Sequence, residues 1–387
     1  MPEVLNSTVC GVCVSKLVKN GRTAAGTQRW KCPECGASSV RKRPDLSRRH
    51  DLDAFVDWLT GKASQAEIDG TATGRSFRRR IAWCWDLAPT LPVTGEVFDE
   101  VQLDGFNLRT GWCLLVASVG TKPVAFQWAG SENQAAWGAL LSQLSAPTVV
   151  VSDGGSGLKA ALDEHWPATR IQRCLVHVQR NVRRYVTTHA KTPAGRALWG
   201  LALKLTRVQD LAGMNTWLLL LSQWEAEFLP LTKQRTYARA GVTAPSWVRP
   251  GQKWWFTHQR LRSGHQVLTR LVNAHHLFTF LDPVFDGLNI SSTTNRIEGG
   301  INSPMRELLK RHRGLSETHQ KRALEWWLYT HCPDAGAPST TLQDRPEPAT
   351  DQDEADDDTE PENTPLYDTG LNPGEGLWTR SGWAGRA

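Results

Sequence analysis

The spacing of apolar residues changes near residue 96 and divides the chain into a helical part and a strand-rich part. Before that point, apolar residues recur at helical spacing over residues 51–59, and two short helices are predicted after it, over residues 64–68 and from residue 73. The third helix is basic on the side opposite its apolar residues, with Arg75, Arg78 and Arg79. Three short helices with a basic last one predict a helix-turn-helix that binds DNA, and a helical linker with a solvated charged face is the alternative.

From residue 96 the pattern is typical of an α/β sheet. Short apolar runs separated by turn residues predict three strands, which are followed by a helix, a strand, a helix and a last strand. In order, these elements cover residues 97–103, 112–119, 123–128, 135–144, 148–151, 158–164 and 170–174. The order β-β-β-α-β-α-β predicts a ribonuclease-H-like mixed sheet. Residues 193–290 are helical in pattern and rich in tryptophan, so they predict an all-helical insertion whose tryptophans lie in its core or, near residues 254–258, stack on bases.

Two acidic residues stand at the ends of predicted strands. Asp104 ends the first strand, and Asp153 ends the fourth and is followed by glycines that lead into a helix. In open α/β sheets, ligands and chemistry collect at the carboxyl ends of the strands. With the predicted strand order, Asp104 and Asp153 would be neighbours, well placed to hold a metal ion. An ordinary Asp-Gly turn is the alternative for Asp153.

Charge is unevenly distributed along the chain. All 387 residues together carry a formal net charge of +6, but residues 344–362 hold ten acids and one arginine, which leaves about +15 on the first 343 residues. Such a surplus is expected of a protein that binds a polyanion. Residues 333–387 are acidic and rich in proline, which predicts a disordered tail that shields a basic face or aids solubility. No apolar run approaches a membrane span or a signal peptide, so we expect a cytoplasmic, nucleoid-associated protein.

Four of the eight cysteines form two Cys-x2-Cys pairs near the amino terminus. The pairs are Cys10 with Cys13 and Cys32 with Cys35, and eighteen residues separate them. Two such pairs deliver the four soft ligands that tetrahedral Zn²⁺ needs, so their spacing predicts a zinc ribbon with a structural zinc ion. Disulfides are the alternative, and a cytoplasmic setting argues against them.

A further cysteine and histidine open the helix after the fifth predicted strand. Cys174 and His177 are three residues apart, so both side chains can face one point. A core cysteine with a capping histidine is the alternative. Arg180 and Arg184 share a side of this helix with His177 and are candidate DNA contacts. Other basic residues that contact phosphates or form a solvated surface are Arg173, Arg306, Lys310 and Arg311.

Four motifs follow one another along the chain: Asp104-Gly, Ser-Asp153-Gly-Gly, Cys174-x2-His177 and Thr-Thr-Asn295-Arg-Ile-Glu298. Over residues 96–327 this ordered set resembles the mutator-type DDE transposases of bacterial insertion sequences, as do the helical insertion and the zinc ribbon. The resemblance implies that Asp104, Asp153 and Glu298 are the catalytic acids and that Cys174 and His177 form the family's C-x2-H signature. Glu307 is near the third acid, but it does not match the motif.

The resemblance also implies a reaction and its partners. Three carboxylates suit two Mg²⁺ (or Mn²⁺) ions in phosphoryl transfer on DNA. The implied function is a transposase that binds the terminal inverted repeats of an insertion sequence, cleaves DNA strands and transfers them into target DNA. The implied partners are double-stranded element ends and target DNA, and a homodimer or larger assembly is expected. A ribonuclease-H-like nuclease without strand transfer and a catalytically inactive DNA-binding regulator are the alternatives.

These patterns together predict five regions. They are a zinc ribbon (1–45), a helix-turn-helix DNA-binding region (46–92), a ribonuclease-H-like catalytic core (93–192 and 291–332), an all-helical insertion (193–290) and an acidic disordered tail (333–387).

Overall fold

The structure of the protein is a computed structural model that describes residues 10, 13, 15–24, 26–40, 44–70, 73–239 and 241–342. Most of the predicted acidic tail and the basic segment over residues 41–43 lie outside the described residues. The described residues fall into two compact units. One is drawn from residues up to 90, 306–330 and 335–342, and the other from residues 91–305 and 331–334.

The first unit begins with a small sheet and three helices. Three antiparallel strands come first, β1 (Val18–Arg22), β2 (Gln28–Lys31) and β3 (Ser38–Val40). The helices are α1 (Pro44–Thr60), α2 (Gln65–Asp69) and α3 (Arg75–Ile81), and a 3-10 turn follows at Ala82–Asp86. Helix α2 starts at a capping box, in which Ser64 and Glu67 each accept a hydrogen bond from the other's backbone N–H. The three predicted helices are therefore present, and the first is longer than its apolar pattern indicated.

The second unit is built on a five-stranded mixed sheet of order β6-β5-β4-β7-β8. Its strands are β4 (Glu100–Asn107), β5 (Cys113–Val119), β6 (Lys122–Ala129), β7 (Val149–Ser152) and β8 (Arg170–Arg173). Strands β4, β5 and β6 are antiparallel neighbours, whereas β7 runs parallel to both β4 and β8. Helices α4 (Gln134–Leu141) and α5 (Ser156–His165) alternate with the last strands, and α6 (Leu175–Val186) follows β8. The α/β class and the mixed sheet predicted from the apolar runs are thus observed.

The first strand of this sheet differs from its predicted range. It begins at Glu100 instead of residue 97, and Val97 is 65% exposed. It also continues beyond Asp104, because Phe106 is buried and pairs with Leu114 of β5. Asp104-Gly105 was expected to end the strand, but both residues pair with β5 in an unbroken antiparallel register.

Residues 193–290 correct one prediction, because this region is not all-helical. Its helices are α7 (Pro193–Leu205), α8 (Leu211–Lys233) and α9 (Gln259–Asn273), and 3-10 turns follow at Thr279–Leu281 and Pro283–Phe285. Between α8 and α9, however, β9 (Arg235–Tyr237) and β10 (Trp254–Phe256) pair antiparallel. Aromatic residues favour strands, and Trp255 is buried between two half-buried aromatic neighbours. Trp217 and Trp224 lie in the buried core of this region, as predicted.

The last described part of the chain, over residues 295–342, is mostly helical. It consists of α10 (Asn295–Ile297), a π-helical turn (Glu298–Asn302), α11 (Ser303–Arg311), α12 (Glu317–His331) and a 3-10 turn (Pro338–Leu342). Within the first unit, Trp326 of α12 is fully buried, and its ring centroid lies 6.3 Å from that of Phe55. Trp85 stacks on His319 at a centroid distance of 4.3 Å, and Arg322 Nε donates to the Trp85 carbonyl oxygen. Residues from near the carboxyl end therefore complete the core around α1–α3.

Candidate active site

Asp104 and Asp153 are adjacent in the sheet. The parallel pairing between β4 and β7 ends where Leu103 lies opposite Ser152, and each acid is the next residue on its strand. Both acids are half-buried. The predicted neighbourhood of Asp104 and Asp153 is therefore present, and it follows from the strand order, which puts the first and fourth strands side by side.

The carboxyl group of Asp104 is held in an electrostatically unfavourable position for a negative charge. Burial and the negative charge of Asp153 raise its pKa to about 7, and the charge of Glu298 acts in the same direction. Asn302 Nδ2 donates a hydrogen bond to Asp104 Oδ2 at 2.7 Å, and the backbone N–H of Gly105 donates to Oδ1 at 3.0 Å. These two donors fix the orientation of the carboxyl group.

Asp153 is held by its backbone. The guanidinium of Arg173 donates to the carbonyl oxygens of both Asp153 and Gly154. Gly154 has a φ of 78°, a backbone conformation that favours glycine. A Cβ at this position would also overlap the Arg173 guanidinium, which is a second reason for glycine here. Burial lowers the pKa of Arg173, although the charge of Asp153 opposes this effect. Arg173, predicted as a candidate phosphate contact, is thus bonded to the loop that carries Asp153.

Glu298 stands at the start of the π-helical turn, a rare local structure that is frequently found at functional sites. Thr294 Oγ1 donates to Glu298 Oε1 at 3.1 Å. His177 Nδ1 lies 3.6 Å from Oε1, and Arg180 lies 3.7 Å from Oε2. The charge of Glu298 raises the pKa of Asp104. Among the described residues, however, the three acids do not bring one oxygen each to within 4.8 Å of one another. The structure thus places Glu298 toward Cys174 and His177.

Glu307, the other acid considered for this position, lies in the first unit. It is exposed and pairs with Lys310 one turn away at 3.6 Å. Asp104, Asp153 and Glu298 all belong to the second unit. The choice of Glu298 over Glu307 rested on the motif and stays a prediction, and Glu298 is one of the charges that raise the pKa of Asp104.

Cys174 and His177 form a compact cluster with Glu298. One ligand atom from each of the three side chains lies within 4.8 Å of the others. The backbone N–H of Thr294 donates to Cys174 Sγ at 3.3 Å, and the Thr294 hydroxyl, whose one proton is shared with Glu298, lies at the same distance from this sulfur. Burial alone would raise the pKa of Cys174, but interactions with His177 and Thr294 outweigh it and lower that pKa, and the contact with Cys174 raises the pKa of His177. Cys174 and His177 therefore interact directly with each other beside Glu298.

A row of buried polar side chains supports the segment that carries Glu298, and the sequence analysis missed it. Gln102 Oε1 accepts a hydrogen bond from the backbone N–H of Ile297 at 3.3 Å, and its Nε2 donates to Glu100 Oε1 at 2.8 Å. Glu100 Oε2 in turn accepts from the backbone N–H of Ser291. Glu100, Gln102 and Asp104 alternate along β4 and so point to one side of the sheet. That alternation was the available signal.

The four amino-terminal cysteines come together as their spacing predicted. Their sulfur atoms all lie within 4.8 Å of one another, with Cys10 and Cys35 at 3.5 Å and Cys13 and Cys32 at 3.4 Å. Strands β1 and β2 lie between the two Cys-x2-Cys pairs along the chain. Because these strands pair antiparallel, the chain turns back and brings the second pair beside the first. Hydrogen bonds with Ser15 lower the pKa of Cys13 to about 6, whereas the contact with Cys10 raises the pKa of Cys35, so the four thiols influence one another. The cluster can hold a structural zinc ion.

The predicted DNA-binding arginines are exposed. Arg75, Arg78 and Arg79 all lie on the surface side of α3, whereas Phe77 and Ile81 are buried. Arg78 Nε donates to Gln65 Oε1 at 3.1 Å, which joins α3 to α2. In the second unit, Arg180 and Arg184 are both exposed on α6. Among the described residues, no helix has the length and apolar character needed to cross a membrane.

The described residues define a mixed α/β protein with two carboxylates at adjacent strand positions and a separate four-cysteine cluster. Residues 114–199 match the family model of the mutator family of transposases. This segment includes Asp153, Cys174 and His177, whereas Asp104 and Glu298 lie on either side of it.

Two curated relatives carry the same type of name. The chain is 36% identical over 69 residues to the transposase for insertion sequence element IS905 of Lactococcus lactis subsp. lactis (strain IL1403), an alignment that covers 16% of this chain and 18% of the relative. It is 29% identical over 104 residues to a probable transposase for insertion sequence element of Corynebacterium diphtheriae, over 24% of this chain and 30% of the relative. The chain thus spans less than a third of each of these relatives. Together with the family match, they confirm the resemblance to mutator-type transposases of insertion sequences.

Proposed function

We propose that this protein is the transposase of an insertion sequence, with a ribonuclease-H-like catalytic core that cleaves DNA strands and transfers them into target DNA. The observation that carries the proposal is the adjacent placement of Asp104 and Asp153 at the end of the β4–β7 pairing. The mutator-family match over residues 114–199 supports it, because that segment contains Asp153 and the C-x2-H pair. The strand order β6-β5-β4-β7-β8, in which only β5 runs opposite to the other four strands, agrees with the proposed core.

The donor set suits hard divalent cations. Asp104 and Asp153 offer carboxylate oxygens, the ligands that Mg²⁺ and Mn²⁺ prefer. Burial and the negative charges of Asp153 and Glu298 raise the pKa of Asp104, and a bound divalent cation would favour its ionised form. Asp104 and Asp153 would hold two ions with Glu298 as the third acid. Magnesium bound there supplies an activated oxygen nucleophile and neutralises charge at the phosphate.

The residues of the chain then have separate tasks in the proposed reaction. Asn302 and the Gly105 N–H orient the Asp104 carboxylate, and Arg173 fixes the loop that carries Asp153. Glu298 must turn from His177 and Arg180 toward the other two acids to complete the site. In the first step, water attacks a phosphodiester at the element end, and the P–O bond to the leaving 3′ oxygen breaks to give a 3′-hydroxyl. In the second, that hydroxyl attacks a target phosphodiester, so one P–O bond forms as another breaks.

DNA recognition is assigned to the first unit. The four-cysteine cluster would hold a structural Zn²⁺ and so fix a small basic module beside α1–α3 in the sequence. Arg75, Arg78 and Arg79 on α3 would contact the element end, and Arg180 and Arg184 on α6 would contact DNA at the catalytic unit. Both element ends and the target are double-stranded DNA, and joining two ends calls for a homodimer or larger assembly.

Strand cleavage and strand joining on a labelled duplex that carries the element end test this proposal. The full chain is incubated with Mg²⁺ or Mn²⁺, beside Asp153→Asn and the control Asp163→Asn, which changes an exposed acid paired with Lys159. We expect metal-dependent nicking at the end and joining to target DNA, lost in Asp153→Asn and kept in the control. Cleavage without joining would identify a nuclease. End binding without any cleavage, equal in all three proteins, would identify a regulator.

A further inference from the structure

We propose that Cys174, His177 and Glu298 form a second zinc-binding site, separate from the four-cysteine cluster, and that zinc bound there inhibits strand cleavage by withholding Glu298 from magnesium. The binding site stands on the geometry of these three side chains alone. The inhibition rests on the proposed function, because it requires Glu298 to be the third magnesium ligand.

The three side chains already have nearly the separations that a zinc ion requires. Zinc binds sulfur at about 2.3 Å and nitrogen or oxygen at about 2.0–2.2 Å, so tetrahedral ligands lie roughly 3.3–3.8 Å apart. His177 Nδ1 and Glu298 Oε1 are 3.6 Å apart, and the ligand atoms of all three residues lie within 4.8 Å of one another. One of the three separations is therefore already in this range, and the other two exceed it by at most about 1 Å.

The chemistry of the three ligands favours zinc over magnesium. A thiolate and an imidazole select borderline or soft metals, whereas magnesium prefers an all-oxygen site. Three protein ligands leave one coordination position open, as in zinc sites that exchange a ligand, whereas four cysteines close the amino-terminal cluster. The two clusters are therefore different in kind, and the open one is expected to bind zinc reversibly.

Thr294 supplies the outer contacts that such a site needs. Its backbone N–H and its hydroxyl lie 3.3 Å from Cys174 Sγ, and the same hydroxyl lies 3.1 Å from Glu298 Oε1. Hydrogen bonds of this type hold metal ligands in the orientation for binding. Thr294 is itself fully buried, so its two groups are fixed in place.

One neighbouring group opposes zinc. Arg180 lies 3.7 Å from Glu298 Oε2 and 3.4 Å from His177 Nε2, so a cation in the cluster would repel its guanidinium. The Arg180 side chain is 50% exposed, and it can turn into solvent when zinc binds. Replacing it with glutamine removes this repulsion. We therefore expect Arg180→Gln to bind zinc more tightly than the wild type.

Cobalt and zinc titration of the full-length, metal-free protein tests the site without relying on activity. Because Asp104 and Asp153 can also take up these metals, only equivalents that give a thiolate-to-metal absorption band are counted, and the two clusters predict about two for the wild type and about one for Cys174→Ser. The control Cys113→Ser makes the same change at a buried cysteine of the same unit outside the cluster, and it should keep two equivalents. A thiolate-to-cobalt absorption band should accompany both equivalents. Thermal melting reports whether each variant folds, and His177→Gln replaces Cys174→Ser if that variant does not.

Cleavage of the element end at fixed Mg²⁺ and increasing Zn²⁺ tests the inhibition. The second equivalent of zinc should inhibit cleavage by the wild type. Half-inhibition of His177→Gln, relative to its own cleavage without zinc, should need at least about tenfold more zinc. Tenfold is the lower end of the loss in metal affinity that follows when a contact to a metal site is removed. One equivalent in the wild type, or two in Cys174→Ser, would overturn the site. Two equivalents with unaffected cleavage would overturn the inhibition. If the wild type binds two equivalents but never cleaves DNA, the zinc site stands and the proposed function fails.

Discussion

Replacing Asp104 with asparagine is expected to change how the stability of the catalytic unit depends on pH. In the folded protein without divalent cations, burial and the charge of Asp153 raise the pKa of Asp104 to about 7, from 3.8 as the ordinary value. Between these two values the folded state binds a proton that the unfolded state has lost. Stability from this group is therefore present at low pH and is lost as the pH rises toward 7.

The size of the effect follows from the two pKa values. Each tenfold change in a protonation equilibrium is worth about 1.4 kcal/mol, so the whole difference corresponds to roughly 4 kcal/mol as an upper limit. Between pH 5 and pH 8 the wild type should lose roughly 3 kcal/mol of this stability, and Asp104→Asn should lose none of it. Asparagine resembles the neutral acid and can still accept the hydrogen bond from Asn302. The variant should thus be the more stable protein at pH 8, in spite of losing activity.

Hydrogen exchange of peptides from β4 and β7 measures this difference in the full chain, in buffer without magnesium or manganese. The opening free energies of wild type and Asp104→Asn are compared at pH 5 and pH 8, after correction for intrinsic exchange rates. Asp163→Asn serves as the control, because Asp163 is exposed and pairs only locally with Lys159. If the gap between Asp104→Asn and wild type does not widen from pH 5 to pH 8, the electrostatic account of Asp104 is wrong.

Three further variants test other parts of the structure. Cys32→Ser should lower the zinc content by one equivalent and weaken binding of the element end, measured by metal analysis and gel shift; unchanged zinc would argue against the cluster. Gly154→Ala should lower the unfolding free energy by about 1–3 kcal/mol, because Gly154 has a positive φ and an added Cβ would overlap the Arg173 guanidinium. The control Gly155→Ala should change the unfolding free energy by less than about 1 kcal/mol, because nothing lies near its added Cβ. Arg79→Gln should reduce the slope of log affinity for DNA against log salt by about 1, and the exposed Arg239→Gln should not. Equal slopes would remove α3 from the DNA interface.

The sheet could be predicted from sequence because its strands are short, apolar and separated by turn residues. Strand β7 is the clearest case, since all four of its residues are buried. Local patterns also placed the acids, because each follows or interrupts an apolar run. The end of β4 was predicted too early, because pairing of Phe106 with β5 extends the strand through a glycine. Strand ends depend on the partner strand, which a local pattern does not contain.

Contacts between distant parts of the chain were not predictable in the same way. Glu298 was found by its motif, but its support by Gln102 joins residues 195 positions apart. The hairpin β9–β10 was missed because three-residue strands carry little periodicity, and helical residues surround them. The packing of Trp326 against Phe55 joins the two ends of the described chain. In each case the missing information is which surfaces meet, and only the alternating Glu100, Gln102 and Asp104 gave a hint of it.

The state of the three acids without metal suggests how the proposed site would assemble. Burial and the charge of Asp153 raise the pKa of Asp104 to about 7, and Glu298 lies 3.6 Å from His177 and 3.7 Å from Arg180. Three ionised carboxylates in one half-buried place would repel one another strongly. In the proposed reaction, divalent cations would remove that repulsion, so Glu298 would turn from the Cys174–His177 pair toward Asp104 and Asp153 only when metal binds.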